Sequence, residues 1–282
     1  IQFLAASSVL NIFLDFLFVA VFHWEAVGAG IATVLSQAMS ALLCVWYVYR
    51  RVPLLQLRPG ELKMDRELLK LTLQHGSITA LQQSCQPIGK LLIQGKINTL
   101  GVSAMAAFNA VNRVDDFAFT PEQSISHAMM TFIAQNRGAK QMDRVKKGFR
   151  DGLLVEFGYW VLICTVILLF RRPIMGLFSS GESGGMLELG VEYLGLMAFF
   201  YLLPAFTNGI QGFFRGMGNM KITLISTIIQ ISVRVVFVYL LVPAVGMTGV
   251  AYASLIGWIC MLAAEVPYYF AYMKKQEQSA QR

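Results

Sequence analysis

Asp15 is the residue best placed to do chemistry. It stands in the middle of an otherwise uncharged stretch from Ile1 to Phe22, about as long as the ~20 residues a helix needs to cross a bilayer. A carboxylate in hydrocarbon is costly unless it is paired, hydrated or protonated, so an intramembrane acid points to an ion or substrate path. Asn11 lies four residues earlier on the same helical face, with an amide that can donate to or accept from that carboxyl. Desolvation penalises the charged form, so the chemistry on offer is uptake and release of a proton as access to water changes.

The elements that must hold such a group are membrane helices. Of 282 residues, 56% are hydrophobic and 14% charged, and the mean hydropathy is +0.58, against ~25% charged residues in soluble domains. The net charge of +7 comes from Lys and Arg in short loops between apolar segments. A folded basic face with interleaved aromatics is missing, so no nucleic-acid partner is expected. Cys44, Cys85, Cys164 and Cys260 are scattered through apolar stretches without CxxC or a nearby His, which reads as small hydrophobic filler.

Apolar runs bounded by charge, Gly or Pro predict an all-α bundle of eight spans, roughly 1–22, 27–49, 72–99, 102–136, 152–170, 189–214, 221–243 and 247–273. Pro87, Pro121 and Pro204 fall inside long spans, where each removes a backbone donor and kinks the helix. Lys and Arg crowd four places: Arg50 to Lys70, Arg137 to Arg150, Arg215 with Lys221, and the tail with Lys274, Lys275 and Arg282. Eight crossings put all four on one side, cytoplasmic by the positive-inside rule, with both ends of the chain. The expected location is a plasma membrane, that of a bacterial cytoplasm, with membrane lipid as a partner. The chain opens at Ile1 without a starting Met or a signal-peptide pattern, and is expected to be part of something longer.

A weak internal repeat supports a two-lobed design. A shift of 219 lays Leu4–Gln37 on Thr223–Ile256, pairing Ser7 with Ser226, Phe18 with Phe237 and Gly30 with Gly249. The expected organisation is residues 1–50 as the last two helices of an N-terminal lobe, 51–71 as a cytoplasmic linker, 72–273 as a six-helix C-terminal lobe and 274–282 as a cytoplasmic tail.

Four segments resemble one family. They are Asn11-Ile12-Phe13-Leu14-Asp15 with Val27-Gly28-Ala29-Gly30-Ile31-Ala32-Thr33, then Ala134-Gln135-Asn136-Arg137-Gly138-Ala139, then Phe214-Arg215-Gly216-Met217-Gly218-Asn219-Met220-Lys221. Together, in this order, they are similar to multidrug and toxin extrusion (MATE) transporters. The resemblance implies twelve helices in two six-helix lobes, exchange of H⁺ or Na⁺ for cationic amphiphilic molecules, and a chain covering helices five to twelve. The missing N-terminal helices of the same protein would then be a partner. It further implies that Asn11, Asp15 and Thr33 belong to a cation-linked network, so that Na⁺ held by their oxygens is the rival to a proton at Asp15. No cofactor beyond that coupling ion is implied.

Two positions depart from another branch of that family. Gln86 stands where the branch carries a glutamate on helix seven, and Pro204 where it carries an aspartate on helix ten, which shifts the expected coupling to the N-terminal lobe.

Other polar residues inside or near spans are candidates for the substrate cavity or a C-lobe network: Gln86, Lys90, Asn109, Arg113, Asp116, Glu122 and Arg234. Arg113, Asp115 and Asp116, one turn apart at most, are expected either to pair with one another or to line the cavity. Lys90 is expected to neutralise an acid on a neighbouring helix, Asp116 or Glu122. His127 reads as a hydrogen-bonded interior histidine rather than a relay, Lys96 and Glu192 as snorkelling residues. Arg234, opposite Asp15 in the repeat, reads as a buried Arg bonded to carbonyls or an acid.

Two motifs are set aside. Gly181-Glu182-Ser183-Gly184-Gly185 matches GxSxG but follows no strand, and Gly212-Phe213-Phe214-Arg215-Gly216 matches GxxxG beside a charge unsuited to a dimer face. An intramembrane enzyme is disfavoured, since His23, His75 and His127 lie on separate segments without HExxH. A flippase for a lipid-linked saccharide is the nearer alternative and would need a cavity rich in Arg and Lys. No GxxxxGK[ST] nucleotide loop occurs.

Overall fold

The first helix of the computed structural model shows how helices pack where lipid replaces water. The structure describes residues 2–52, 56, 64–178 and 184–280, and the chain divides into two compact units, Ile1–Leu69 and Lys70–Arg282. In the first unit α1, Gln2–Asp15, continues as a π-helical stretch, Phe16–Val21, and is followed by α2, Glu25–Arg51. The buried positions of α2 are Gly28, Ala32, Ser36 and Ser40, a stripe of small residues at a spacing of four. Apolar surface gains nothing by leaving lipid, so close backbone approach and interhelical hydrogen bonds hold such pairs. Ser7 Oγ donates to the Ser36 carbonyl at 2.7 Å. The connection is tight: Trp24 N–H donates to the Phe18 carbonyl at 2.9 Å, and their rings stack with centroids 5.3 Å apart.

The second unit holds α3 (Arg66–Ile97), α4 (Val102–Gly138), α5 (Met142–Gly176), α6 (Gly184–Phe200), α7 (Leu202–Gly216), α8 (Met220–Val245) and α9 (Thr248–Ala280). Several boundaries differ from expectation. The basic stretch expected as a loop after α4 is mostly helix, because α5 starts at Met142. Its 35 residues reach about 52 Å, well beyond a ~30 Å hydrocarbon core, so Arg144, Lys146, Lys147 and Arg150 ride on helical turns at its start. The tail is helical to Ala280 and α3 begins at Arg66 inside the expected linker; most of the remaining linker, including Arg58 and Lys63, and Gly181 to Ser183 lie outside the described residues.

Pro87 and Pro121 stay within continuous helices, whereas the span with Pro204 breaks. α6 and α7 meet at Tyr201 with a bend of 43°. Pro204 follows three residues later, in the first turn of α7, where its missing N–H is least costly. By length and apolar composition five helices qualify as membrane spans among the described residues, and the bent pair makes six. The eight expected spans include α3 and α4, long enough but more polar; both carry the side chains that line the cavity described below.

Two apolar clusters hold the second unit. One gathers Ile97, Phe108, Ile167, Met175, Leu194, Val242 and Val250; the other gathers Met129, Ile133, Val145, Phe149, Phe213, Met217 and Ile222. Between them runs a polar belt, legible on α8 as buried Ile222, then Thr223, Ser226, Thr227 and Gln230, then Val238 and Val242. Large apolar side chains face outward instead, among them Leu91, Phe117, Leu162 and Leu169, as expected where lipid is the solvent.

Gly212 and Gly216 are where α7 touches α4. A Cβ at Gly212 would lie 2.7 Å from the Ser126 carbonyl oxygen, and one at Gly216 would lie 2.8 Å from that of Met130. The GxxxG motif set aside as a dimer face is thus a packing motif within the unit.

Candidate functional site

The polar belt encloses a cavity of 460 Å³. α3 contributes Gln82, Gln86 and Lys90, spaced by four so that one helical face lines it; α4 contributes Asn112, Asp115, Asp116, Phe119 and His127; α7 contributes Pro204, Thr207, Asn208, Gln211 and Arg215. α8 adds Thr227, Gln230 and Arg234, and α9 adds Trp258 and Met261.

Lys90 Nζ lies 3.6 Å from Asp116 Oδ1, one of the two pairings expected for that lysine. Both side chains are more than half exposed, so the pair contributes ~0–1 kcal/mol to stability. A double-mutant cycle with Lys90→Ala and Asp116→Ala is expected to give a coupling below about 1 kcal/mol in thermal unfolding, while each single variant leaves an unmatched charge facing the cavity and changes occupant binding. A coupling of several kcal/mol would show the pair to be structural.

Asp115 sits deeper, 6% exposed, and accepts a hydrogen bond from the Tyr201 hydroxyl. Of the nearby cations, Arg234 acts on it most strongly. The α6–α7 break therefore does two things: it bends the span and turns Tyr201 onto a buried acid. Mutual pairing of Arg113, Asp115 and Asp116 does not occur, because adjacent helical positions point about 100° apart: Asp115 turns to Tyr201, Asp116 to Lys90, and Arg113 is exposed. Asn109 is exposed too, and neither it nor Arg113 lines the cavity.

A second network ties α3, α7, α8 and α9 together. Gln82 Nε2 donates to Gln211 Oε1 at 3.1 Å and to Thr227 Oγ1 at 3.0 Å, and Gln82 Oε1 accepts from Thr223 Oγ1 at 3.4 Å. Arg215 Nη2 donates to Gln211 Oε1 at 3.1 Å. Gln211 Nε2 and Ser226 Oγ donate to Glu265 Oε1 at 3.5 and 2.6 Å. Ser226→Ala, which withdraws the shorter of those bonds from a fully buried carboxyl, is expected to lower stability by ~1–3 kcal/mol in thermal unfolding.

Other expected residues land as follows. Gln86 and Arg234 line the cavity, and Arg234 Nε is shielded without a hydrogen-bond partner. His127 faces the cavity and is exposed, not an interior histidine. Lys96 lies 5.7 Å above the Tyr239 ring, a cation–π contact. Glu122 is fully buried and stands behind the cavity wall rather than on it. Reading from sequence passed over Gln82, Gln211, Thr227 and Gln230. Their only early signal is polar residues at spacings of three and four inside apolar runs.

In the first unit Asp15 is half-buried at the junction of α1 with its π-helical continuation. Asn11 Nδ2 and Asp15 Oδ1 are both shielded from solvent and lack hydrogen-bond partners. The structure does not join Thr33 to them: its hydroxyl donates to the Ala29 carbonyl of its own helix at 2.9 Å, and the residue is exposed. A β-branched hydroxyl in a helix reaches the carbonyl one turn back, which competes with any interhelical role. No group of three or more His, Cys, Asp and Glu side chains suited to a metal ion occurs among the described residues.

Comparison with known proteins bears on the fold. The chain is 27% identical over 265 residues to a probable multidrug resistance protein NorM of Thermotoga maritima, covering 91% of this chain and 55% of that protein. It is 24% identical to the multidrug export protein MepA of Staphylococcus saprophyticus, covering 94% and 58%. A solved MOP superfamily transporter from Pyrococcus furiosus shares the fold, with a TM-score of 0.86 at 24% identity over 95% of this chain and 60% of that one. The chain thus spans little more than half the length of these relatives. A family model, MatE, matches residues 79–240, the stretch that builds most of the cavity wall. With over half of its residues under that match, the chain belongs to the MatE family.

Proposed function

We propose that the complete protein is a secondary antiporter, exporting cationic amphiphilic drugs or metabolites in exchange for H⁺ or Na⁺ by alternating access, with both ends of this chain on the cytoplasmic side. The observation that carries the reading is the 460 Å³ cavity midway along the second unit, a size suited to a small organic molecule. Phe119 and Trp258 offer ring faces to a flat cation, and Met197 and Met261 offer adaptable apolar contact. Asp116, more than half exposed to the cavity and neutralised by Lys90 at rest, is the acid for which an incoming cation competes.

Coupling is assigned to Asp15. Its shielded, unpartnered Oδ1 beside the equally unpartnered Asn11 amide supports a site completed by a proton or Na⁺. Cation uptake would bias two packings of similar energy, as alternating access requires. A lipid-linked saccharide flippase is less favoured, because each cavity cation faces an acid: Lys90 with Asp116, Arg234 with Asp115 and Arg215 with Glu265. Enzymatic chemistry has no support in the grouping of residues.

The test is efflux of a fluorescent organic cation from cells and proteoliposomes carrying the complete protein. Asp15→Asn is expected to reduce efflux at least tenfold and to abolish its dependence on pH or Na⁺. Retained efflux with unchanged ion dependence would remove Asp15 from the mechanism. Efflux of anionic lipid analogues but no cation would favour the flippase.

A further inference from the structure

Glu122 on α4 and Glu156 on α5 are both 0% exposed. They interact electrostatically. Neither has an ion-pair partner among the described residues. Three of their four carboxyl oxygens, Glu122 Oε1 and both of Glu156, are shielded and without a hydrogen-bond partner. The fourth, Glu122 Oε2, accepts from Asn208 Nδ2 on α7 at 3.4 Å. Glu156 packs against the next residue of α7, its Cγ 3.8 Å from where a Cβ would stand on Gly209.

We infer that Glu122 and Glu156 form a proton-binding site of the second unit, one proton shared between the two carboxyls, connected to the cavity through Asn208. Two fully buried carboxylates against one turn of α7, without a cation, cannot both carry charge; a proton removes one charge and supplies a donor that the orphaned oxygens lack. The neighbouring hydroxyls give their hydrogens elsewhere. Tyr159 on α5 gives its hydroxyl to the Ala118 carbonyl at 3.0 Å, Ser126 on α4 gives its hydroxyl to the Asn208 carbonyl at 2.6 Å, and the Tyr201 hydroxyl goes to Asp115. His127 and Asp116 face the cavity and not the pair. Asn208 and Ser126 both line the cavity, while the two acids do not, so the Asn208 amide is the polar step between the cavity and the proton.

This site is separate from Asp15 and does not depend on Asp15 being the coupling residue. The experiment is difference infrared spectroscopy of the complete purified protein in nanodiscs, following the stretching band of protonated carboxyls against pH, with ¹³C-labelled glutamate to separate it from aspartate. A glutamate band equivalent to one proton is expected near neutral pH in the unmodified protein. It should be lost in Glu122→Gln/Glu156→Gln, and persist in Glu265→Gln and Asp15→Asn. Asn208→Leu is expected to retain the band and slow its hydrogen–deuterium exchange at least tenfold. The proposal is overturned if the unmodified protein shows no such glutamate band, if the band survives the double substitution, or if Na⁺ without a pH change removes it, which would make the site a sodium site. Should the double variant fail to fold, the single substitutions serve, each expected to shift the band, since the remaining buried carboxyl keeps a proton but loses its neighbour; a band unchanged in both overturns the proposal.

Discussion

Gly212→Leu yields no folded second unit. A side chain there has to displace the Ser126 carbonyl, 2.7 Å from the first added carbon, and the nearest side-chain atom is the Ser126 hydroxyl at 2.8 Å. Neither can yield cheaply, since the carbonyl is α4 backbone and the hydroxyl is bonded to Asn208. Moving α7 outward would break Gln211 away from Gln82 and Glu265 and open the seam over Glu122. Gly212→Ala is expected to cost ~1–3 kcal/mol, the usual penalty of overpacking, and Gly212→Leu more than the unit can absorb. Detergent extraction with size-exclusion chromatography and thermal unfolding measure this. Gly158→Leu is the control: that glycine is exposed with nothing within 4 Å, and the variant should run and melt like the parent. A well-folded Gly212→Leu protein would mean that α4 and α7 are not packed as closely as described.

Gln82→Leu releases α3. This helix stands apart from the backbones of its neighbours, and Gln82, 6% exposed, is the residue whose side chain bonds to two of them at once. Removing it leaves Gln211, Thr227 and Thr223 each short of a partner in a buried belt, at ~1–3 kcal/mol for a stranded group and without simple additivity. The expected loss is about 3 kcal/mol or more, concentrated on one helix. Hydrogen–deuterium exchange should rise at least tenfold across the α3 amides near Gln82 and little on α4 or α9. Uniform loss across the unit would place Gln82 in the global core instead; no loss would show that water replaces its bonds.

The helices were legible because their signals are local. Apolar runs of membrane length, broken by charge or Gly, announce themselves residue by residue, and α8 or α9 can be drawn from the letters within a few positions. Polar faces such as Gln82-Gln86-Lys90 are legible as a spacing of four, but their partners are not. Lys90 had two candidate acids, and only the placement of α3 relative to α4 selects Asp116 over Glu122. Glu122 is a different case. A glutamate in an apolar helix looks the same whether it lines a cavity or lies behind its wall, and the difference is a rotation set by Asn208 and Gly209 of another helix. The internal repeat was likewise sound as two helical hairpins but not letter by letter: a Cβ at Gly249 would press on the Leu241 and Val242 backbone, whereas Gly30 meets nothing and Gly28 packs in its place against Phe18.

Sequence alone determined that this is an all-helical membrane protein with a lone acid on its first helix and a family likeness carried by four short motifs, since composition and periodicity encode the solvent a helix faces. Tertiary structure alone decided which polar groups share a space. It made the GxxxG motif an internal seam, turned Tyr201 onto Asp115 by breaking a span, withheld the Thr33 hydroxyl from Asp15, and buried Glu122 and Glu156 against one turn of α7. The physical reason is range: hydropathy acts on one residue and its medium, whereas hydrogen bonds and ion pairs at about 3 Å depend on where a second helix puts its side chains.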